Sequence, residues 1–256
     1  MSESVEQTYN RPWLAFKSLV FWVWMVVNTI VCGIPIIIVG LFSIPFAFKM
    51  IHYWLALNLH GLKLICGLGW EVDGEENIPD TPCMVMSNHQ STWETYFLTY
   101  HLRYSVYVAK RSLALIPIFG WGLHILKFIL IDRASGRSAI KQMTDQAKLR
   151  LVEDGRWLIV FPEGTRRPPG APAEFRIGGS VVATNLGVDV LPVAVNSGEF
   201  WPRMGFIKWP GTITVSFGPV IKTQGKTVNE VQEAMQSWIV GRMAEISIPE
   251  RFPYKG

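Results

Sequence analysis

The chain has 256 residues and a formal net charge of +4 at pH 7, with 49% hydrophobic and only 17% charged residues. This length allows one or two domains and one sizeable core. Charged residues are few for a soluble domain, so we expect a membrane as a partner. We expect no nucleic-acid partner.

The apolar excess lies near the N-terminus, where no charged residue occurs from Ser18 to Phe48. As one helix this run would extend about 46 Å, which exceeds the roughly 30 Å hydrocarbon core of a bilayer. Two full spans would need about 20 residues each, so the run is too short for them. Gly33 and Pro35 are expected to break it near its middle. Two arrangements remain: one tilted or kinked span, or a two-helix hairpin that enters one leaflet.

Basic residues at both ends of the run favour the hairpin. Arg11 and Lys17 precede the run, and Lys49 and Lys63 follow it. Basic flanks prefer the cytoplasmic face, so both ends would lie there, on the inner membrane if the cell is bacterial. A buried helical hairpin in a soluble protein is the remaining alternative. We therefore divide the chain into membrane-anchoring helices at 1–66 and an α/β domain at 67–256.

From Gly67 onward, short apolar runs alternate with helical stretches. The predicted strands are Met84–Met86, Ser105–Ala109, Phe128–Ile131, Leu158–Phe161, Val190–Val195 and Thr212–Phe217. The clearest predicted helices are Ser135–Glu153 and Thr227–Ile246. This alternation predicts an α/β fold with a mixed, largely parallel sheet and flanking helices. In such sheets, functional residues gather at the carboxyl ends of the strands.

A histidine and a carboxylate follow the first of these strands. His89 comes just after Met84–Met86, and Glu94 lies five residues further on. On one helix the two would be about 140° apart, so His89 must lie in the turn before a helix and Glu94 in its first turn. Histidine titrates near pH 6.5, which suits a general base oriented by an acid. Alternatively, Ser91-x-x-Glu94 is a capping box with a structural role.

A second block follows another strand, at Phe161-Pro162-Glu163-Gly164-Thr165-Arg166. The pattern N-H-x-x-x-x-[D/E], followed roughly seventy residues later by F-P-E-G-T-R, resembles the glycerolipid acyltransferase family. Two further blocks occur in the expected order, Gly120 with Arg133 and then Val190–Ala194. The resemblance covers roughly residues 70–220. One position departs from the family pattern, because the acid is usually aspartate and here it is Glu94.

The resemblance implies transfer of a fatty acyl chain from an acyl thioester to the free hydroxyl of lysophosphatidic acid, giving phosphatidic acid. His89 would take the hydroxyl proton, Glu94 would orient His89, and no acyl-enzyme would form. Amides at the start of the following helix are expected to bind the oxyanion. The donor could be acyl-CoA or an acyl carrier protein. Two alternatives stay open: a different lyso-lipid acceptor, and a non-catalytic membrane lipid-binding module.

The phosphate of such an acceptor requires cations. Arg166 offers a planar fork suited to phosphate, and the resemblance adds Lys110 and Arg133, for which ordinary surface charge is the alternative. Glu163 would bond the glycerol hydroxyl of the acceptor or organise Arg166 and nearby amides. Gly164 is expected to adopt positive φ, and Thr165 belongs to the same substrate-binding turn.

Other chemistries lack their sequence patterns. The five histidines show no metal-ligand spacing, and neither a G-x-S-x-G elbow nor a P-loop occurs. We therefore expect no metal and no cofactor besides the thioester co-substrate. Arg167, Arg203 and Lys208 are expected to contact anionic lipid headgroups instead of the acceptor.

Overall fold

A computed structural model of the protein describes residues 9–116, 119–132 and 136–248. The α-helices in these ranges are α1 (Arg11–Phe42), α2 (Ile44–Cys66), α3 (Trp93–Leu102), α4 (Phe119–Ile125), α5 (Arg137–Ala147), α6 (Gly178–Leu186) and α7 (Val228–Ile246). The strands are β1 (Leu68–Asp73), β2 (Met84–Ser87), β3 (Ser105–Lys110), β4 (Ile129–Ile131), β5 (Trp157–Val160), β6 (Val190–Val195) and β7 (Gly211–Phe217). A π-helical segment, Lys148–Glu153, continues α5.

The strands form one sheet in the order β1-β7-β6-β2-β5-β3-β4. The pair β6–β7 is antiparallel and the other neighbouring pairs are parallel. The predicted mixed, largely parallel sheet with flanking helices is therefore confirmed. Because β2 and β5 are parallel neighbours, their carboxyl ends lie side by side, and the segments carrying His89 and Glu163 leave the sheet at the same edge.

Helices cover both faces of the sheet, and alternate strand residues enter two hydrophobic clusters. In β2, Met84 and Met86 join the cluster that contains Val182 of α6 and Met235 of α7. Val85 points to the other cluster, which contains Trp93 and Phe97 of α3. Burial on both faces explains why the central strands are continuous apolar runs.

The predicted strands agree with the observed ones to within about one residue at their ends, but β1 was not predicted. Its sequence, Leu68 to Asp73, includes a glycine and two acidic residues, which are disfavoured in strands. The strand is stabilised by parallel pairing with β7 at the edge of the sheet, where its polar side chains remain partly exposed. Tertiary pairing thus outweighs a weak local preference.

The break in the N-terminal apolar run occurs at Ser43, so the predicted break at Gly33 and Pro35 is wrong. Helix α1 continues through Pro35 and ends at Phe42. Ser43 then caps α2, since its hydroxyl accepts a hydrogen bond from the amide of Phe46 at 3.4 Å. A serine followed two residues later by proline is a typical helix start.

The two helices are antiparallel neighbours. Trp24 Nε1 donates to the carbonyl of Leu57 at 3.4 Å, and Cys66 Sγ lies 3.8 Å from the carbonyl of Lys17. Arg11, Lys17 and Lys63 therefore lie at the same end of the pair, as the hairpin prediction requires. The prediction is wrong for Lys49, which lies in the second turn of α2, near the end where the two helices are joined. Within the described ranges, α1 is the one helix long and apolar enough to cross a membrane.

The helical pair also belongs to the core. Leu55 and Leu59 of α2 are almost fully buried, and they belong to the two clusters that line the sheet. The predicted boundary after residue 66 coincides with the end of α2 at Cys66. The helices on its N-terminal side nevertheless share their packing with the α/β part.

Candidate active site

His89 lies in the turn after β2, and Glu94 lies in the first turn of α3, as the five-residue spacing predicted. The Nδ1 atom of His89 is 2.7 Å from Oε1 of Glu94. The glutamate side chain is completely buried, whereas 14% of the histidine side chain is exposed. With Nδ1 donating to the carboxylate, Nε2 of His89 is left as the proton acceptor.

The same carboxylate makes one half of the capping box proposed as the alternative, although Thr92 and not Ser91 is the N-cap of α3. Its Oε1 accepts hydrogen bonds from the amides of Gln90 and Ser91 at 2.8 and 2.7 Å, and its Oε2 accepts from Ser197 Oγ at 2.6 Å. Burial opposes ionisation of Glu94, but the hydrogen bond and charge of His89, with the bonds from Ser197 and Ser91, outweigh it and lower the pKa. Capping and orientation are thus two functions of one ionised side chain.

Hydrogen bonds within the protein occupy three of the amides that we expected to bind the oxyanion. The amides of Gln90 and Ser91 donate to Glu94, and the amide of Trp93 donates to Ser91 Oγ at 3.2 Å. The expectation is therefore wrong for these three amides, because they already have partners inside the protein.

The turn around His89 is held against the end of β6 by two side chains that the sequence analysis did not single out. Asn88 donates to the carbonyl of Val195 at 2.9 Å and accepts from its amide at 2.8 Å. Gln90 Oε1 accepts from the amide of Gly198 at 3.1 Å. Together with the bond from Ser197 to Glu94, these contacts fix the His89 turn relative to residues 195–198. No local pattern marks Ser197, because its partner lies 103 residues away in sequence.

The F-P-E-G-T-R turn packs directly against His89. The ring of Phe161 stacks on the imidazole with centroids 3.9 Å apart and an interplanar angle of 11°. Glu163 Oε2 accepts a hydrogen bond from the His89 amide at 3.3 Å, and the Arg167 amide donates to the His89 carbonyl at 2.7 Å. Gly164 has φ of +70°, as predicted. Glu163 therefore organises a neighbouring amide, which was one of its two predicted roles.

Burial raises the pKa of Glu163 to about 8, with a smaller contribution from the charge of Glu94, against the lowering effects of the His89 amide and Arg167. Below the ordinary pKa of a glutamate, both the folded and unfolded states are protonated. As pH rises to about 8, the unfolded state ionises first, so the free energy of unfolding falls by at most about 1.4 kcal/mol per pH unit.

Replacing Glu163 by glutamine should remove this pH-dependent cost. We expect the melting temperature of Glu163→Gln to equal that of the wild type near pH 4 and to exceed it by several degrees at pH 8. Glutamine keeps an oxygen that can accept from the His89 amide, so the fold should persist. Thermal melts of both proteins across this pH range test the prediction, and parallel curves would contradict it.

An apolar cavity of about 520 Å³ opens beside the imidazole, and both His89 and Arg166 line it. Its walls come from α1 and α2 (including Ile36 and Leu55) and from the α/β part (including Tyr107). This volume is in the usual range for ligand sites. The N-terminal helices therefore form part of the site, which the division into an anchor and a domain did not predict.

The remaining predicted residues occupy three different settings. Arg166 lines the cavity, and within the part of the chain that the structure describes its buried Nε has no hydrogen-bond partner. Thr165 is exposed and accepts from Arg203 Nη1 at 3.4 Å. Lys110 lines a second cavity, of about 760 Å³, so it is not gathered around His89. Arg133 lies outside the described residues.

Comparison with known proteins gives the chemical class. Residues 69–196 match the family model described as "Acyltransferase". The chain is 40% identical over 201 residues to a 1-acyl-sn-glycerol-3-phosphate acyltransferase of Pseudomonas aeruginosa, covering 77% of this chain and 78% of that protein. It is 32% identical over 181 residues to 1-acyl-sn-glycerol-3-phosphate acyltransferase alpha of Mus musculus, covering 69% of this chain and 63% of that protein.

The fold is also shared with a solved structure. The crystal structure of the 1-acyl-sn-glycerophosphate (LPA) acyltransferase PlsC from Thermotoga maritima matches with a TM-score of 0.75 at 22% identity, over 94% of this chain and 97% of that one. The motif blocks, the sheet and the sequence identity thus agree, and the chain belongs to the acyltransferase family of enzymes.

Proposed function

We propose that the protein transfers a fatty acyl chain from an acyl thioester to the free hydroxyl of lysophosphatidic acid, giving phosphatidic acid. His89 is the general base and Glu94 orients it. The acyltransferase relatives named for 1-acyl-sn-glycerol-3-phosphate support this choice of acceptor. The donor is acyl-CoA or an acylated acyl carrier protein, which deliver the same thioester.

One observation carries the proposal: an imidazole paired with a buried carboxylate and an arginine with an unpaired Nε line the same apolar cavity. His89 Nδ1 lies 2.7 Å from Glu94 Oε1, and its other ring nitrogen provides the base. Arg166 provides a cation for phosphate, since its Nε has no hydrogen-bond partner within the described residues. The apolar walls suit a fatty chain. A lipid that carries both a hydroxyl and a phosphate matches these three features.

The reaction follows from the state of the imidazole. His89 Nε2 takes the proton of the acceptor hydroxyl as its oxygen attacks the thioester carbonyl, and the ionised Glu94 stabilises the resulting imidazolium. The tetrahedral oxyanion then collapses and the carbon–sulfur bond breaks. The leaving thiolate takes the proton from the imidazolium, so the products are an ester and a free thiol, and no acyl-enzyme forms.

The direct test is thiol release by the purified protein in mixed micelles. We expect release from acyl-CoA to depend on added lysophosphatidic acid and to yield phosphatidic acid. A parallel panel of lysophospholipids and lyso-aminolipids tests the acceptor, and an acylated acyl carrier protein tests the donor. Faster turnover with another acceptor would replace lysophosphatidic acid in the proposal. Binding of lipid without thiol release from either donor would point to the non-catalytic module.

Arg166 should be needed chiefly for acceptor binding. Charge-assisted hydrogen bonds contribute about 1.5–3 kcal/mol, so Arg166→Ala should raise the KM for lysophosphatidic acid about 10- to 100-fold. Steady-state kinetics at varied acceptor concentration measure this change.

The matched comparison is Lys110→Ala, since this lysine lines the other cavity. A KM that rises only in the Lys110 variant would transfer the phosphate contact to Lys110. An acceptor KM unchanged by Arg166→Ala would contradict the assignment of Arg166.

The N-terminal helices support a location for the reaction at a membrane. We propose that α1 and α2 anchor the protein at the cytoplasmic face, which is the inner membrane in a bacterium. Support comes from the length and composition of α1 and from its exposed apolar side chains, such as Trp13, Val23 and Val31. Release of the protein into the supernatant by alkaline carbonate would contradict this location.

A further inference from the structure

The segment 201–209, which leads from the end of β6 towards β7, is attached to the first half of α1. The amide of Lys208 donates to Ser18 Oγ at 2.8 Å, and Trp22 Nε1 donates to the carbonyl of Phe206 at 3.3 Å. The rings of Phe21 and Trp201 meet edge to face with centroids 5.7 Å apart. This segment therefore lies beside the most apolar helix of the protein.

A buried lysine holds the segment in place. Lys208 is completely buried, and its Nζ donates to the carbonyls of Gly205 and Phe206 at 3.1 and 2.8 Å. The ammonium also lies 4.4 Å from the ring centroid of Trp22 and 4.6 Å from that of Trp201. The expectation that Lys208 contacts lipid headgroups is therefore wrong, because its charge is used inside the protein.

The tip of the segment exposes apolar side chains. Met204 is 94% exposed and Phe206 is 49% exposed. The amide of Gly205 donates to the carbonyl of Pro202 at 2.9 Å, which closes a turn, and Met204 has φ of +59°. Glycine is favoured where a turn needs positive φ, and other residues are strained there. An exposed methionine in this conformation is therefore costly for the folded protein alone.

Arg203 connects the tip to the candidate active site. Its Nη1 lies 3.4 Å from Thr165 Oγ1 and 3.3 Å from the carbonyl of Arg166. The loop that carries Met204 and the turn that carries the proposed phosphate-binding arginine are thus in direct contact.

We propose that residues 202–207 form a second membrane-contacting element, the interfacial loop, which inserts Met204 and Phe206 into a bilayer surface beside α1. The loop adjoins exposed apolar residues of α1, such as Leu19 and Val23, and this continuity with the proposed membrane anchor favours a bilayer as the partner. This part of the inference rests on the proposed function: the loop holds the turn that carries Arg166 at the place where a lyso-lipid leaves the bilayer. Insertion of Met204 and Phe206 into the bilayer explains why the strained backbone of Met204 is kept at an exposed position.

The first test measures insertion and needs no turnover. Met204→Cys and, as a matched control, Val152→Cys are made in the full chain with Cys32→Ala, the other two cysteines being buried. Val152 is 54% exposed and lies before the amino end of β5, whereas His89 follows the carboxyl end of β2, the parallel neighbour of β5. Each cysteine is labelled with an environment-sensitive fluorophore. The labelled proteins are then bound to vesicles of phosphatidylcholine and phosphatidylglycerol that contain spin-labelled acyl chains.

We expect a blue shift and quenching at position 204 and neither at position 152. A label at 204 that remains in a water-like environment would overturn the proposal. So would a shift that occurs without lipid and grows with protein concentration, since that would identify a second copy of the chain as the partner.

The second test separates lipid contact from a structural role. Met204→Gly relieves the strained φ, so its melting temperature should equal or exceed that of the wild type. Its KM for vesicle-borne lysophosphatidic acid should rise about three- to tenfold, and Met204→Leu should restore it. An unchanged KM in Met204→Gly would refute the link between the loop and acceptor capture, whereas absence of activity in the wild type would instead refute the proposed function.

Discussion

His89→Ala should lower turnover about 100- to 10,000-fold, which is the usual contribution of a general base. Without the imidazole, no other titratable side chain is bonded to Glu94 among the described residues, and the hydroxyl of the acceptor keeps its proton. The acceptor KM should change little, because Arg166 and the apolar cavity remain. Thiol release at saturating acceptor measures the effect.

The variant should fold, which makes the kinetic loss interpretable. Glu94 keeps its hydrogen bonds from the amides of Gln90 and Ser91 and from the hydroxyl of Ser197. The matched control is His124→Ala, since His124 lines the second cavity away from Glu94. A well-folded His89→Ala that retains near-normal turnover would eliminate His89 as the base.

Glu94→Gln should lower turnover nearly as much, about 100- to 10,000-fold, while the protein keeps most of its stability. The amide oxygen can replace Oε1 as acceptor for His89 and the two backbone amides. The amide nitrogen then faces Ser197, whose hydroxyl can rotate to accept instead of donate. The geometry is therefore retained, and the negative charge that stabilises the imidazolium is lost.

Glu94→Asp distinguishes the effect of the negative charge from the effect of side-chain length. It keeps the charge but lacks one methylene, so we expect it to lose contact with either His89 or Ser197 and to show intermediate turnover. If Glu94 has only a capping role, Glu94→Gln will reduce the melting temperature slightly and leave turnover unchanged. That outcome would leave Glu94 with its capping role and contradict its role in catalysis.

Much of the site was accessible from sequence because its parts follow strands. His89 comes directly after β2 and Glu163 directly after β5, and parallel strands bring their carboxyl ends to one edge. The five-residue spacing of His89 and Glu94 was also decisive, because only a turn followed by a helix lets these side chains meet. Local geometry and sheet direction were sufficient for these predictions.

Other parts of the site depend on long-range packing. Ser197 binds Glu94 across 103 residues, and Asn88 binds Val195 across 107. No short pattern contains either pair. The amides of Gln90 and Ser91 looked available for an oxyanion, and only the position of the Glu94 carboxylate showed that they are occupied.

Taken by itself, the amino-acid sequence determined the alternating strands and helices, the spacing that pairs His89 with Glu94, and the apolar character of the N-terminus, because these depend on periodicity and on neighbours within a few residues. Tertiary structure alone decided that α1 and α2 line the cavity beside His89, that Lys208 is buried among aromatic rings, and that Arg166 and Lys110 face different cavities. The physical reason is that cavities and buried charges form between segments distant in sequence, where the outcome depends on how whole elements pack.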